Sequence, residues 1–316
     1  MIAIELNLSQ VTSMSEDEAR QYLESVLWPN GPICPHCGSI KSWNIKGESA
    51  RDGVYECADC GKQFTVTIGT VMQGSHISLR QWLIAFHLMT SSKKGISALQ
   101  LQRNLGLGSY RSAWHLAHRI RLSMNEESVQ KALKGTVEVD ETYVGGKPRK
   151  ENKGSEPKKK HKRGRGTDKI PVLALVERRG NVFSKPIENV NAKTLKGAIR
   201  TMVHKDSTIM TDEWKSYTGI GKEFTGGHET VNHGEGEFAR GWVYTNTAES
   251  YFALLKRGVM GMFHHISKGH LHRYCDEFSF RWNYRKVNDG ERTVAAIKGS
   301  KGKRLMYKIV AGYRGI

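Results

Sequence analysis

Two pairs of cysteines carry the plainest chemistry in this sequence. Cys34-Pro-His-Cys37-Gly and Cys57-Ala-Asp-Cys60-Gly are CxxC knuckles with 19 residues between them. Each pair can present two thiolates to one face of a tight turn, and the glycine that follows allows the turn's unusual backbone angles. This spacing predicts a four-cysteine zinc ribbon with one structural Zn²⁺ per chain. All four positions are filled by protein, so such a zinc is closed and not catalytic. Two redox pairs would need a thioredoxin-like βαβ context, which the flanking residues lack. The fifth cysteine, Cys275, falls on the apolar stripe of a C-terminal helix and reads as a buried thiol.

Three carboxylates suggest a second kind of chemistry. Asp140 lies near the end of the strand-like run TVEVDE, Asp212 follows the run TIMT, and Glu249 falls in the first turn of the helical segment NTAESYFALLKRG. Carboxylates at strand ends and a helix start can converge, and an all-oxygen cluster suits Mg²⁺ or Mn²⁺. Two such ions about 3.5 to 4 Å apart can activate water and stabilise the leaving oxygen of a phosphodiester. Lys256 is seven residues after Glu249, two helical turns on, and so shares its face. Glu235 and Glu237 lie a little upstream, but in the glycine-containing stretch NHGEGEFARG, where a loop holds a ligand less rigidly than a helix.

The elements that must position these groups follow from periodicity and punctuation. Residues 15 to 28 read as a helix capped by Ser15 and ended by Pro29, Gly31 and Pro32. From Leu79 to Met124 the pattern is helical, with a break at Gly106-Leu107-Gly108. Its last part, Ile96 to Met124, has the length of a helix-turn-helix. The final helix of that segment offers Ser109, Tyr110, Arg111, His115, His118, Arg119 and Arg121 for phosphates and base edges, with Arg111 and Arg119 the expected DNA contacts. After Gly135 come strands, a helix from about Asn191 to Val203, the strand ending at Asp212, and helices again, as in a mixed α/β domain. The expected divisions are 1–28, a helical segment; 29–75, the ribbon; 76–133, the helix-turn-helix-like segment; and 134–316, the α/β domain.

Charge narrows the class of partner. The 316 residues carry 49 Lys plus Arg against 31 Asp plus Glu, a formal net charge of +18. Residues 1–134 account for +3 of this and residues 135–316 for +15. The insertion 147–169 (KPRKENKGSEPKKKHKRGRGTDK) has 11 basic and 3 acidic residues and cannot pack a core. Lys158, Lys159, Lys160, Lys162 and Arg163 within it are expected to touch DNA backbone without reading sequence. No segment fits a signal peptide or membrane span, so a reducing, cytoplasmic setting at the nucleoid is expected.

Taken in order, CPHCG, CADCGKQFTVTIGTVM, VEVDETYVGGK, TDEWKSY, NTAESYFALLKRG and HLHRYCDEFSFRWNYR resemble the bacterial insertion-sequence transposases that join a zinc ribbon to a DDE catalytic domain, related to the Merlin superfamily. The resemblance runs from about Cys34 to Arg285. It implies a multidomain α+β protein whose catalytic domain is RNase H-like, with Asp140, Asp212 and Glu249 as the acidic triad, Lys256 as the additional basic residue and Asn246 beside the site. It also implies two catalytic Mg²⁺ or Mn²⁺ ions and DNA substrates, the element's ends and a target. A dimer or higher synaptic assembly is expected, because two ends must be brought together. Two other readings stay open: a zinc-ribbon DNA-binding regulator without activity, and an RNase H-like nuclease that hydrolyses DNA without joining it.

Overall fold

The computed structural model describes residues 6–47, 51–126, 133–145, 167 and 169–312. The basic insertion, with Lys158, Lys159, Lys160, Lys162 and Arg163, therefore lies outside the described residues. The chain divides into two compact units, Met1–Asn125 with Tyr284–Arg314, and Glu126–Asn283.

The first unit begins with helices α1 (Leu8–Ser13) and α2 (Glu16–Leu27). Ser15 caps α2 through a capping box in which Glu18 answers back to the Ser15 amide, as the S-E-D-E text predicts. Strands β1 (Ser42–Asn44), β2 (Tyr55–Cys57) and β3 (Gln63–Phe64) form the antiparallel ribbon. Trp28, Tyr55 and Phe64 meet there with ring centroids 5.5 to 5.8 Å apart and make its small core. Helices α3 (Leu79–Ser91), α4 (Ala98–Leu105) and α5 (Tyr110–Ser123) follow. Between α4 and α5 the chain turns at Gly106, whose φ of +62° is the left-handed C-cap that glycine accepts without strain.

In the second unit, among the described residues, five strands form one sheet. They are β4 (Thr136–Val144), β5 (Ile170–Glu177), β6 (Val182–Pro186), β7 (Thr208–Asp212) and β8 (His228–Val231), in the order β6-β5-β4-β7-β8. The β4–β5–β6 portion is antiparallel, whereas β7 and β8 run parallel to β4. Helix α6 (Ala192–Met202) covers one face through Leu195 and Ile199 against Val137, Val139 and Leu175. A short hairpin of β9 (Ala239–Arg240) and β10 (Val243–Tyr244) leads into α7 (Asn246–Gly258), which with α8 (Leu271–Asn283) covers the other face. Cys275 is fully buried there with Tyr251 and Phe278, as expected of a packing thiol. This is the mixed sheet expected of an RNase H-like domain, and the molecule is multidomain α+β.

One boundary differs from the sequence-based division. Residues after Asn283, read as the end of the α/β domain, return to the first unit, where α9 (Asp289–Lys298) packs on α3 and α10 (Tyr307–Gly312) follows. The reason is burial: Thr293, Ala296 and Ile297 of α9 are buried, and the Thr293 hydroxyl lies 3.0 Å from that of Thr90 on α3. No described helix is long and apolar enough to cross a membrane.

Candidate active site and zinc-ribbon centre

Strand register brings the two aspartates together. In the parallel pair β4–β7, Glu138 stands beside Met210, so two residues further on Asp140 stands beside Asp212 on the same face. β7 ends at Asp212, at the carboxyl end of the parallel strands, where open α/β sheets place their ligands. Oxygens of Asp140, Asp212 and Glu141 all lie within 4.8 Å of one another. The Asp140 carboxylate accepts from the Glu141 amide at 2.7 Å, and that of Asp212 from the Trp214 amide at 3.1 Å.

Electrostatics mark the same place. Burial, reinforced by the charges of Asp212 and Glu249, pushes Asp140 up to about 6, although the Glu141 amide and His233 act in the opposite direction. A cation among these carboxylates would relieve that repulsion, and an all-oxygen donor set suits a hard divalent ion. Glu249 is exposed in the first turn of α7 and is not one of the three residues whose oxygens converge, but its charge reaches Asp140. Lys256 is also exposed, two turns along α7. Glu237 is occupied within its own loop, accepting from the Asn232 amide at 3.0 Å.

Glu141, Glu138 and Arg178 were missed in the sequence. Glu141 is opposite in strand parity to Asp140, on the α6 side, and accepts from the Tyr217 hydroxyl at 2.6 Å. Glu138 has the parity of Asp140, so V-E-V-D already put two acids on one face of β4, a usable signal. It is fully buried and holds the start of α7: one oxygen accepts from the Thr247 and Ala248 amides at 2.7 and 3.0 Å, the other from the Thr247 hydroxyl at 2.9 Å. The N-cap residue Thr245 makes no side-chain cap, so a carboxylate from the sheet satisfies the amides at the helix's positive end. Arg178 donates to Glu138 at 2.6 Å and to the carbonyls of Trp242 and Tyr244 at 2.6 and 2.7 Å. This network fixes the strand that carries Asp140 relative to the helix that carries Glu249.

In the first unit, Cys34, Cys37, Cys57 and Cys60 form the other group, among the described residues, whose atoms could hold a metal. Their sulfurs approach to 3.5 Å (Cys37–Cys57) and 3.7 Å (Cys34–Cys60). Zinc–sulfur bonds of about 2.3 Å in a tetrahedron require sulfurs roughly 3.8 Å apart, so the four thiols fit zinc. Cys57→Ser should lower zinc in the purified protein from one to near zero per chain and melt the ribbon. Metal analysis together with hydrogen exchange over 34–64 checks this, and a variant that keeps its zinc would count against the ligand set.

The helix-turn-helix reading needs correction at Arg119. Its guanidinium lies over the Trp82 ring at 5.2 Å and donates to the Gln73 carbonyl, and the residue is 5% exposed. His118 and Arg121 are buried as well. α5 packs against α3, α4 and α9, which encloses its second half and leaves Ser109, Tyr110 and Arg111 exposed at its start. Arg111 keeps its surface position, so it alone of the two arginines can meet a phosphate without repacking.

An ISXO2-like transposase domain matches residues 132–283, and a transposase zinc-ribbon domain matches residues 14–63. A protein of the transposable element ISH50 of Halobacterium salinarum is 30% identical over 276 residues, 85% of this chain and 92% of that protein. The chain belongs to the insertion-sequence transposases. A transposase-like protein of Haemophilus influenzae is 31% identical over 107 residues, 34% of this transposase chain and 84% of its own. A chain of the Mos1 strand transfer complex aligns over 66% of this transposase and 75% of its own length at 14% identity, with a TM-score of 0.27, too low to bear on the fold. The transposase domain match ends at Asn283, the residue at which the second compact unit ends.

Proposed function

We propose that this transposase binds the ends of its insertion sequence, cleaves a phosphodiester at each end and joins the freed 3′-hydroxyl to target DNA by DDE chemistry. The observation that carries the reading is the convergence of Asp140 and Asp212 at the carboxyl end of β4 and β7, with Glu249 near enough for its charge to reach Asp140. Asp140, Asp212 and Glu249 would hold two Mg²⁺ or Mn²⁺ ions, with Glu141 beside them. Bound there, the ions supply an acidified water and a positive clamp on the reacting phosphate. Asp140, whose carboxyl the charges of both Asp212 and Glu249 reach, would be the central one of these ligands. Lys256, on the face of α7 that carries Glu249, would contact a neighbouring phosphate, and Asn246, the first residue of α7, would lie beside the site.

DNA is held by charge. Arg111 at the start of α5 and the lysines and arginine at 158–163 contact the backbone, which makes binding salt-dependent. The ribbon, with one zinc on Cys34, Cys37, Cys57 and Cys60, belongs to the end-binding unit. Two element ends call for a dimer or larger assembly acting on nucleoid DNA in the cytoplasm.

The test uses the zinc-loaded protein, a plasmid carrying the element's ends and a second target plasmid, with Mg²⁺ or with EDTA. Cleavage at the ends followed by joined products in Mg²⁺ alone supports the reading. Hydrolysis without joining assigns a nuclease, and binding without cleavage assigns a DNA-binding regulator.

A further inference from the structure

In the second unit, among the described residues, the exposed large aromatic side chains are Phe238 and Trp242, both in the segment that leads into α7. Between β8 and α7 the chain makes the hairpin β9–β10, whose register pairs Arg240 with Val243 and Ala239 with Tyr244. Only Gly241 and Trp242 remain for the loop, and Gly241 takes the positive φ of +61° that a two-residue hairpin loop demands. So tight a loop leaves Trp242 at the tip, 56% exposed, and Phe238 at the hairpin's base is 65% exposed. More than half of the surface of each of these residues is thus open, whereas Val243, the residue after Trp242, faces the core.

Two contacts hold this hairpin against the elements around the carboxylates. The Phe238 ring stands 5.6 Å from that of His233, whose charge reaches Asp140 and whose Nε2 lies 3.3 Å from the Thr245 hydroxyl at the start of α7. On the other side the Trp242 carbonyl is held by Arg178, the residue that also grips Glu138 on the Asp140 strand. Arg178 itself lies 3.6 Å over the Tyr244 ring. The hairpin is thus fixed to β4 and α7, and Phe238, Trp242 and the Arg240 side chain, 60% exposed, stand open on it.

We infer that Phe238 and Trp242 form a stacking platform for a nucleobase that leaves the duplex next to the bond being cut. The inference rests on the transposase reading and names how that site opens its DNA. A phosphodiester inside a stacked duplex is hard to bring against half-buried carboxylates at the carboxyl ends of inner strands, and turning out one nucleotide exposes it. The unstacked base then needs a new partner, and every base offers a π-face that an aromatic side chain can cover without reading sequence. Arg240 is engaged by Glu229 and Glu237 at 3.6 Å each, so the rings and not its charge would hold the base.

The experiment uses full-length zinc-loaded protein and end-containing duplexes with 2-aminopurine at successive positions around the scissile phosphate. The wild type should change the emission at one or two adjacent positions, and Trp242→Ala should lose that change while Trp242→Phe keeps most of it. Trp242→Ala and Phe238→Ala should each cleave intact duplex about tenfold more slowly, the scale of one base–aromatic stack. A duplex abasic at the responding position should restore Trp242→Ala to near the wild-type rate, because there is no base left to hold. That rescue is what separates a platform from a merely structural tryptophan. Slow cleavage without abasic rescue, or a changed oligomer size in Trp242→Ala with unchanged emission, overturns the platform; the second outcome assigns the aromatics to contact between copies. Emission needs binding only, so a wild type that responds without cleaving retains the platform and removes the transposase reading. A wild type that cleaves with no responding position does the reverse.

Discussion

Asp140→Asn is expected to reduce Mg²⁺-dependent strand cleavage at least about a thousandfold, the scale of losing several kcal/mol of charge stabilisation in the transition state. DNA binding should persist, since phosphate contacts elsewhere hold the substrate. The same substitution should raise the melting temperature of the protein in EDTA at neutral pH. Burial, with repulsion from Asp212 and Glu249, raises Asp140 to about 6 from an ordinary 3.8, so the folded protein favours its neutral form. That contribution to stability is complete below the ordinary value and is lost as pH rises through about 6. Asparagine is neutral throughout, so its advantage should be full above pH 6 and shrink as pH falls towards 3.8. Melting curves at pH 7.5 and 4.5 read the difference; an equal shift at both would contradict it. Asp212→Asn and Glu249→Gln should also abolish cleavage, while Glu237→Gln should have little effect. Glu141→Gln should cost less than Glu249→Gln because its carboxylate serves Tyr217 on the opposite side of β4. A dead Glu141→Gln beside an active Glu249→Gln would make Glu141 the third ligand.

Glu138→Ala should destabilise the second unit by about 3 to 5 kcal/mol, the usual result of removing one partner of a buried ion pair. Arg178 would lose its anion, and the amides of Thr247 and Ala248 would lose their acceptor at the start of α7. Glu138→Gln retains an acceptor oxygen and should cost less. Urea unfolding followed by the Trp214 and Trp282 signals measures the loss, and hydrogen exchange at Thr247 and Ala248 shows whether the helix start opens first. A Glu138→Ala midpoint equal to the wild type would remove the proposed anchor.

Local pattern was enough for much of this protein. The ribbon was legible because only two residues separate the ligands of each CxxC and each turn can shape its own half of the site. Ser15, Gly106 and the apolar period marked helices because caps and helical faces depend on neighbours three or four residues away. The motif order pointed to the transposase family, and Asp140 and Asp212 were found as strand-end acids.

Only the tertiary structure decided which of these groups meet. Asp140 and Asp212 are 72 residues apart in sequence and are made neighbours by the parallel register of β4 and β7. Glu138 was an ordinary strand acid until α7 docked with its unsatisfied amides on it. Arg119 has the chemistry of a DNA contact, yet periodicity gives a helix its faces without saying how many will be covered, and packing on Trp82 of α3 and the Gln73 carbonyl covered that one. Residues 284–312 likewise joined the first unit because the buried face of α9 matched α3, a pairing between segments about two hundred residues apart that no local pattern contains.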